Sequence, residues 1–554
     1  MAATISKKPV FPRDIWLMVA EELAADCDFD TLYTCGRVDR NLAQLALPLL
    51  YSIHDQSPVI DAHVVGLEAS VCLWRSIIAS SLNETRYPYC CWIKSLKLGH
   101  LHFILDGLSR KNAVLKARFF QDPLQRFMIN IRGQQLNLDR VVLEVVDSIT
   151  RYIKSAAEQA DKRVLLTTLE GHYFPPDCLV NWISSLPSLT SLVVRDGLVL
   201  TADVAKALHE NCPSFKHLQC YSCEGPVADQ QLAGFLRELK PQSLESFTVR
   251  SQNNLGSETF MALQHHSSSL QELRLLSLEP TALTSLHQLR HCLALVKLAI
   301  EGNHRVQRFD WFDSAHPDDF EEVAKWISKC ASLRELSLLQ VSDATELIGM
   351  LQHHDGSLFK LTSLTLVLNE LKDFSFYSFI ERQNTLERLT MTLLGEEFEY
   401  YEFEEDQVAR TLRSLRKLKK LNTNAPLSTW DLAISIVPLE HLEELWLNGD
   451  LISDEYLVHL IRLKKLRSLA ILGPSCLTAE GIHRFMRVLH EHQGECREAH
   501  RGLQISVLSQ EWDAQLDQEV EYAIRAFIDE IFGGTFDITY QRHPDEMHES
   551  DFSD

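Results

Sequence analysis

The chain has 554 residues, about three to four times the usual size of one domain, so several domains or one repetitive array is expected. Its 54 Lys and Arg stand against 76 Asp and Glu, a formal balance of −22, and 45% of its residues are apolar. That composition excludes a chain disordered throughout, and it excludes a generally basic surface that would bind nucleic acid or anionic membrane through bulk charge.

The opening MAATISKKPVFP has no apolar core segment, and no stretch approaches the ~18 uninterrupted apolar residues of a membrane span, so neither signal peptide nor transmembrane helix is expected. The expected location is cytoplasmic and/or nuclear, with no nucleic acid and no membrane among the partners. Thirteen cysteines is an odd number, mostly placed singly in apolar patterns as at Cys292 and Cys330, which suits buried free thiols better than a disulfide framework.

Residues 11–51 break into three short helical stretches. Pro12 suits a first helical turn, and Ile15, Trp16, Val19 and Leu23 form a stripe that stops at the AADCDFD turn. Asp30 is expected to cap a second stretch with Leu32, Cys35 and Val38, and Asn41 to Leu50 forms a third. Three helices of this size hold too little core to be very stable alone, so the unit should dock on something; Phe11, Pro12, Ile15 and Leu32 look surplus to its own core.

This segment resembles the F-box, the module that attaches a substrate receptor to the Skp adaptor of a Skp-cullin-F-box ubiquitin ligase. The matching elements are Phe11, Pro12, Asp14 and Ile15 at the opening, Asp30 and Leu32 in the second helix, the Cys35 to Val38 stretch, and the closing LPLLY at Leu47–Tyr51. The resemblance implies an adaptor-binding surface of Phe11, Pro12, Ile15, Trp16, Leu32, Cys35, Val38, Leu49, Leu50 and Tyr51. A Skp-type adaptor, and through it a cullin, are the implied partners. The next stretch, LWRSIIASSLNETRYPYCCWIKSLKLGHL, is similar to the region after the F-box in many fungal F-box proteins.

Beyond it, WIKSLKLGHL resembles an opening strand, LDRVVLEVVDSITRYIKSAAEQ is a long amphipathic helix, and VLLTTLEG followed by PPDCLVNWISSL looks like one more unit of a repeat that then dominates the chain. Its lead apolar residues are Leu189, Phe215, Leu244, Leu270, Leu295, Leu333, Leu361, Leu386, Leu418, Leu442 and Leu466. From first to last is 277 residues over ten intervals, about 28 per repeat, the upper part of the leucine-rich-repeat range. Each lead residue opens a short period-two strand, and stretches such as TADVAKALHENC, with Thr201 as N-cap, carry helical periodicity behind it.

The expected fold is α/β: an N-terminal three-helix F-box-like unit at 9–55, a transitional region with a first irregular repeat at 56–160, and a leucine-rich-repeat solenoid at 161–508. The solenoid is a horseshoe of parallel strands inside and helices outside. A capping helix at 509–536 and an acidic disordered tail at 537–554 complete the chain.

Strand side chains alternate, so residues between the strand leucines face outward. They include Arg195, Tyr221, Thr248, Arg250, Arg274, Lys297, Arg388, Lys420 and Trp446, with Glu272, Glu301, Glu335 and Glu444 among them. This face is slightly basic in an acidic chain, and Arg195, Arg250, Arg274 and Lys297, beside Tyr221, suit an acidic or phosphorylated protein segment. Two insertions break the rhythm: one carries Phe309, Trp311 and Phe312, with Trp311 counted among the target-binding residues, and EEFEYYEFEED reads as an acidic loop.

No phosphate loop, nucleophile elbow or HExxH is present. His217, Cys220 and Cys223 have ligand-like spacing, but Cys220 falls on a strand-core position, so neither metal nor cofactor is expected. The function implied is a non-catalytic substrate receptor of a ubiquitin ligase; the alternative is a leucine-rich interaction scaffold without the ligase connection.

Overall fold

A repeat of strand and helix buries its apolar positions only against its neighbours, and this is how the chain is built. The computed structural model describes residues 12–58, 67–111, 113–131, 135–303, 317–353, 359–368, 375–394, 402–424, 435–448, 452–492, 500–511 and 515–540. The fold is an α/β repeat solenoid of parallel strands with accompanying helices. It divides into two units, Met1–Ser269 and Leu270–Asp554. That boundary falls inside the span 161–508.

The first unit opens with α1 (Arg13–Ala25), α2 (Phe29–Val38) and α3 (Arg40–Ser52). Their shared core is small, with Ala20, Leu32 and Ala46 buried and Leu23, Cys35, Leu49 and Leu50 packed around them. The second helix is capped by Asp28, which accepts from the Thr31 N–H at 3.0 Å, and not by Asp30. Asp39 starts the third, accepting from the Asn41 and Leu42 N–H groups at 2.7 and 2.9 Å. An Asp lying just outside a helix can reach the free N–H groups of its first turn, whereas Asp30 is already inside that turn.

Five parallel strands follow in the same unit: β1 (Ser95–Lys97), β2 (Thr168–Gly171), β3 (Ser191–Asp196), β4 (His217–Ser222) and β5 (Ser246–Val249), each paired with the next in order. The helix Leu138–Ala160 buries Val141, Val145, Ile149 and Ile153 along one face, and Asn137 caps it. Thr201 caps the helix Ala202–Asn211 as its sequence predicts. Asp229 does the same work between repeats: its carboxylate accepts from the Gly256 and Thr259 N–H groups, at 2.8 and 2.9 Å, at the start of the next helix.

His266, at the end of a helical segment, is fully buried. Its Nδ1 faces the Leu244 N–H at 3.4 Å and its Nε2 the Leu236 carbonyl at 3.2 Å, and burial lowers its pKa, so the ring is held neutral.

The second unit carries β6 (Glu272–Leu278), β7 (Lys297–Gly302), β8 (Glu335–Leu339), β9 (Ser363–Leu368), β10 (Arg388–Leu393), β11 (Lys420–Thr423), β12 (Glu444–Leu447), β13 (Ile452–Ser453), β14 (Ser468–Ile471), β15 (Ser475–Cys476), β16 (Gln504–Gln510) and β17 (Thr535–Tyr540). The main ladder runs β6 to β12, then β14, β16 and β17, all parallel, with β13 paired to β15 beside it. In both units the lead residues are buried, from Leu189 through Leu466, which puts the roughly 28-residue repeat directly on the core.

Two sequence expectations change here. Residues 535–536, expected in the capping helix, and 537–540, expected in the tail, form a strand after the helix Gln518–Phe532: Phe536 and Ile538 alternate inward and pair with Ile505 and Val507. Residues 402–406 of the acidic run belong to the helix Glu402–Ser414 and not to a loop. Residues 541–554 lie outside the described residues.

Candidate functional site

Two surfaces of the first unit concentrate the residues singled out by the sequence. On the helix unit, Ile15 is 42% exposed, Met18 63% and Val38 65%, with Val19 and Tyr33 also exposed. Pro12 precedes α1 and is exposed, and its carbonyl accepts from the Ile15 N–H at 3.1 Å. Trp16 is half-buried. Phe11 lies outside the described residues.

The other expected contacts turn inward. Leu32 is fully buried, and Cys35, Leu49 and Leu50 pack on the small core, because a three-helix unit this short needs every apolar position on its inner face. Tyr51 is bound into its own chain: its ring stacks on Tyr89 at 4.6 Å, its hydroxyl lies 2.7 Å from Ser76 Oγ, and burial pushes its pKa up to about 12. It anchors α3 to the helix Leu67–Ser81. Between α2, α3 and that helix lies a groove of about 550 Å³ lined by Tyr33, Leu50, Cys72 and Leu73. Met18 and Tyr33 are not singled out by the sequence, since only the packing of the three helices shows which apolar side chains are left over.

The second surface is the outer face of β2 to β5. Val194, Cys220 and Val249 are register partners and are buried. The residues that come after them, Arg195, Tyr221 and Arg250, therefore form one lateral row on the opposite face, and all three are exposed. The Arg250 guanidinium lies over the Tyr221 ring, 5.4 Å from its centroid, a contact of about 0.5–1 kcal/mol at an exposed site. Neither Arg195 nor Arg250 has a carboxylate within ion-pair distance among the described residues. His172 extends the row from β2; partial desolvation and then the Arg195 charge lower its pKa. One expected face residue, Thr248, is buried instead, although it stays in register with Gln219.

The second unit treats its cations differently. Arg274 Nε sits 2.6 Å from Glu272 Oε1, and Lys420 Nζ 2.7 Å from Glu444 Oε1. Glu335 takes two partners, Lys297 at 3.4 Å and Arg388 at 3.0 Å. These exposed pairs contribute only about 0–1 kcal/mol each, but they neutralise the charge that made Arg274 and Lys297 candidates for binding an acidic segment, and that of Arg388 on the same face. Trp446 remains 42% exposed, between Asn422 and Ala470 in cross-strand register. Trp311 lies outside the described residues.

Cys220 and Cys223 are buried and His217 is exposed, so the three do not converge; burial pushes the Cys223 thiol up to about 12 and raises Cys220 as well. Among the described residues no group of three or more His, Cys, Asp or Glu could hold a metal ion, all twelve cysteines are free, and no helix is long and apolar enough to cross a membrane.

Compared with models of known families and with curated proteins, the chain matches none. Among solved structures it is similar to the crystal structure of the Rad7 and Elc1 complex in yeast, at 15% identity over 68% of this chain and 85% of that one, with a TM-score of 0.36. It is also similar to the crystal structure of the TLR13–ssRNA13 complex, at 11% identity over 71% of this chain and 63% of that one, with a TM-score of 0.31. The fold itself rests on the strand and helix repeat.

Proposed function

We propose that the chain is a non-catalytic substrate receptor of a Skp-cullin-F-box ubiquitin ligase, acting in the cytoplasm and/or nucleus. In this reading the helix unit docks a Skp-type adaptor and the repeats hold a target protein. Such a receptor makes and breaks no bonds; it raises the effective concentration of target lysines near the ubiquitin-loaded enzyme. The observation that carries the reading is the set of apolar side chains left exposed on α1 and α2, namely Ile15, Met18, Val19, Tyr33 and Val38, on a unit whose own core is only a few residues deep. A non-ligase scaffold is the second reading, since the repeat faces would serve it equally well.

Co-purification separates the two. The intact chain should bring down a Skp-type adaptor, and Met18→Asp with Val38→Asp, both at exposed positions, should abolish capture without changing the melting temperature. Failure of the intact chain to capture an adaptor would leave the scaffold reading standing.

A further inference from the structure

We infer that Arg195, Tyr221 and Arg250 form a binding row for a phosphomonoester carried on an extended segment of a partner protein. The inference names the chemistry of the target proposed above and rests on that reading only in taking the partner to be a protein. The row crosses three adjacent strands, so the two arginine Cα atoms are separated by two strand spacings, about 10 Å.

The second unit shows that this distance is within reach: Arg388 of β10 meets Glu335 of β8 at 3.0 Å across the intervening strand β9, over Ser363. For Arg195 and Arg250 the same span is shared between two long side chains with Tyr221 between them. Arg250 already leans inward, held over the Tyr221 ring.

Charge and shape select the ligand. The two guanidinium groups have no carboxylate partner among the described residues, although the chain carries a formal −22. A carboxylate has two oxygens and is satisfied by one arginine fork, whereas a phosphomonoester presents three oxygens and nearly two charges, enough for both forks at once. Below the row, Val193 and Gln219 give an uncharged floor along which a peptide backbone can run. The nearest acidic strand residue in that lower row is Glu170, beside Val193.

The test uses the full chain and fluorescence-labelled peptide pools with degenerate flanks around a central phosphoserine, serine or glutamate, with inorganic phosphate as competitor. The phosphoserine pool should bind about tenfold or more tightly than the glutamate pool, and Arg195→Ala or Arg250→Ala should each weaken it about tenfold to a hundredfold. Arg195→Lys with Arg250→Lys keeps the charge without the forks, so it should lose the preference for phosphoserine over glutamate.

Equal binding of phosphoserine and serine pools, or binding unchanged by the alanine variants with an unaltered melting curve, would sink the proposal. Inorganic phosphate competing as well as the peptide would overturn its protein-partner half. Adaptor capture, read in the same variants, should be unaffected. Failure of the intact chain to capture an adaptor, with phosphopeptide binding intact, would fail the ligase reading and leave this site standing.

Discussion

The outer faces of β3 to β5 and of β6 to β12 are made by the same repeat, yet they handle charge in opposite ways. In the second unit the first outward position of successive strands runs Glu272, Lys297, Glu335, Ser363, Arg388, Lys420 and Glu444, so cations stand beside or within reach of carboxylates. In the first unit the same position runs Ser95, Thr168, Ser191, His217 and Ser246, without a carboxylate, and the arginines sit two rows further along the strands. Counting charges over the whole face gives a slightly basic surface everywhere. Cross-strand register shows instead one region that satisfies its own cations and one that leaves them for something else.

The comparison concerns faces, so the frame beneath should matter equally in both units. Leu192→Ala and Leu336→Ala each remove a fully buried strand leucine and should each cost about 2–5 kcal/mol in urea unfolding. A near-zero cost in either would mean that the frames differ, and the contrast between faces would lose its meaning.

Acid should distinguish the first unit next. Behind its face, His100 is held neutral: Trp74 Nε1–H donates to its Nδ1 at 2.8 Å, and burial, then the His54 and Lys97 charges, lower its pKa from 6.5 to about 4. His54 and His266 are lowered in the same direction, chiefly by burial. The unfolded chain takes up protons on these rings below about pH 6.5 and the folded chain does not, so stability should hold above that pH and fall progressively toward pH 4. Melting temperature followed by tryptophan fluorescence reads this, and His100→Gln should flatten the profile.

A direct way to break the contrast is to free the second unit's cations. Glu335→Ala releases Lys297 and Arg388 together, and stability should change by no more than about 1 kcal/mol because the pairs are exposed. In a background lacking Arg195 and Arg250, the same substitution should restore part of the phosphoserine-peptide binding, measured by anisotropy. The smallest effect expected is Tyr221→Leu, which removes the ring under Arg250 and should weaken phosphopeptide binding by about 0.5–1 kcal/mol with the melting curve unchanged.

Much of this molecule is readable before any coordinates. The lead residues from Leu189 to Leu466 are periodic, and burying one apolar face per repeat leaves a chain with that period no other packing. Thr201 and the stripe of the helix Leu138–Ala160 are local signals of the same kind. The strand at 535–540 escapes such a reading because only two of its residues, Phe536 and Ile538, face inward amid polar neighbours. Nothing local in the sequence reveals that Tyr51 stacks on the Tyr89 ring and meets the Ser76 hydroxyl.

At the candidate sites, the order of residues suffices to say which side chains point out of a strand, since alternation is a property of the backbone. Which of them are already spoken for is settled by how the strands lie beside one another. Register sets Glu335 between Lys297 and Arg388 while leaving Arg195 and Arg250 flanking Tyr221, and an ion pair depends on distances between strands that a linear sequence does not contain.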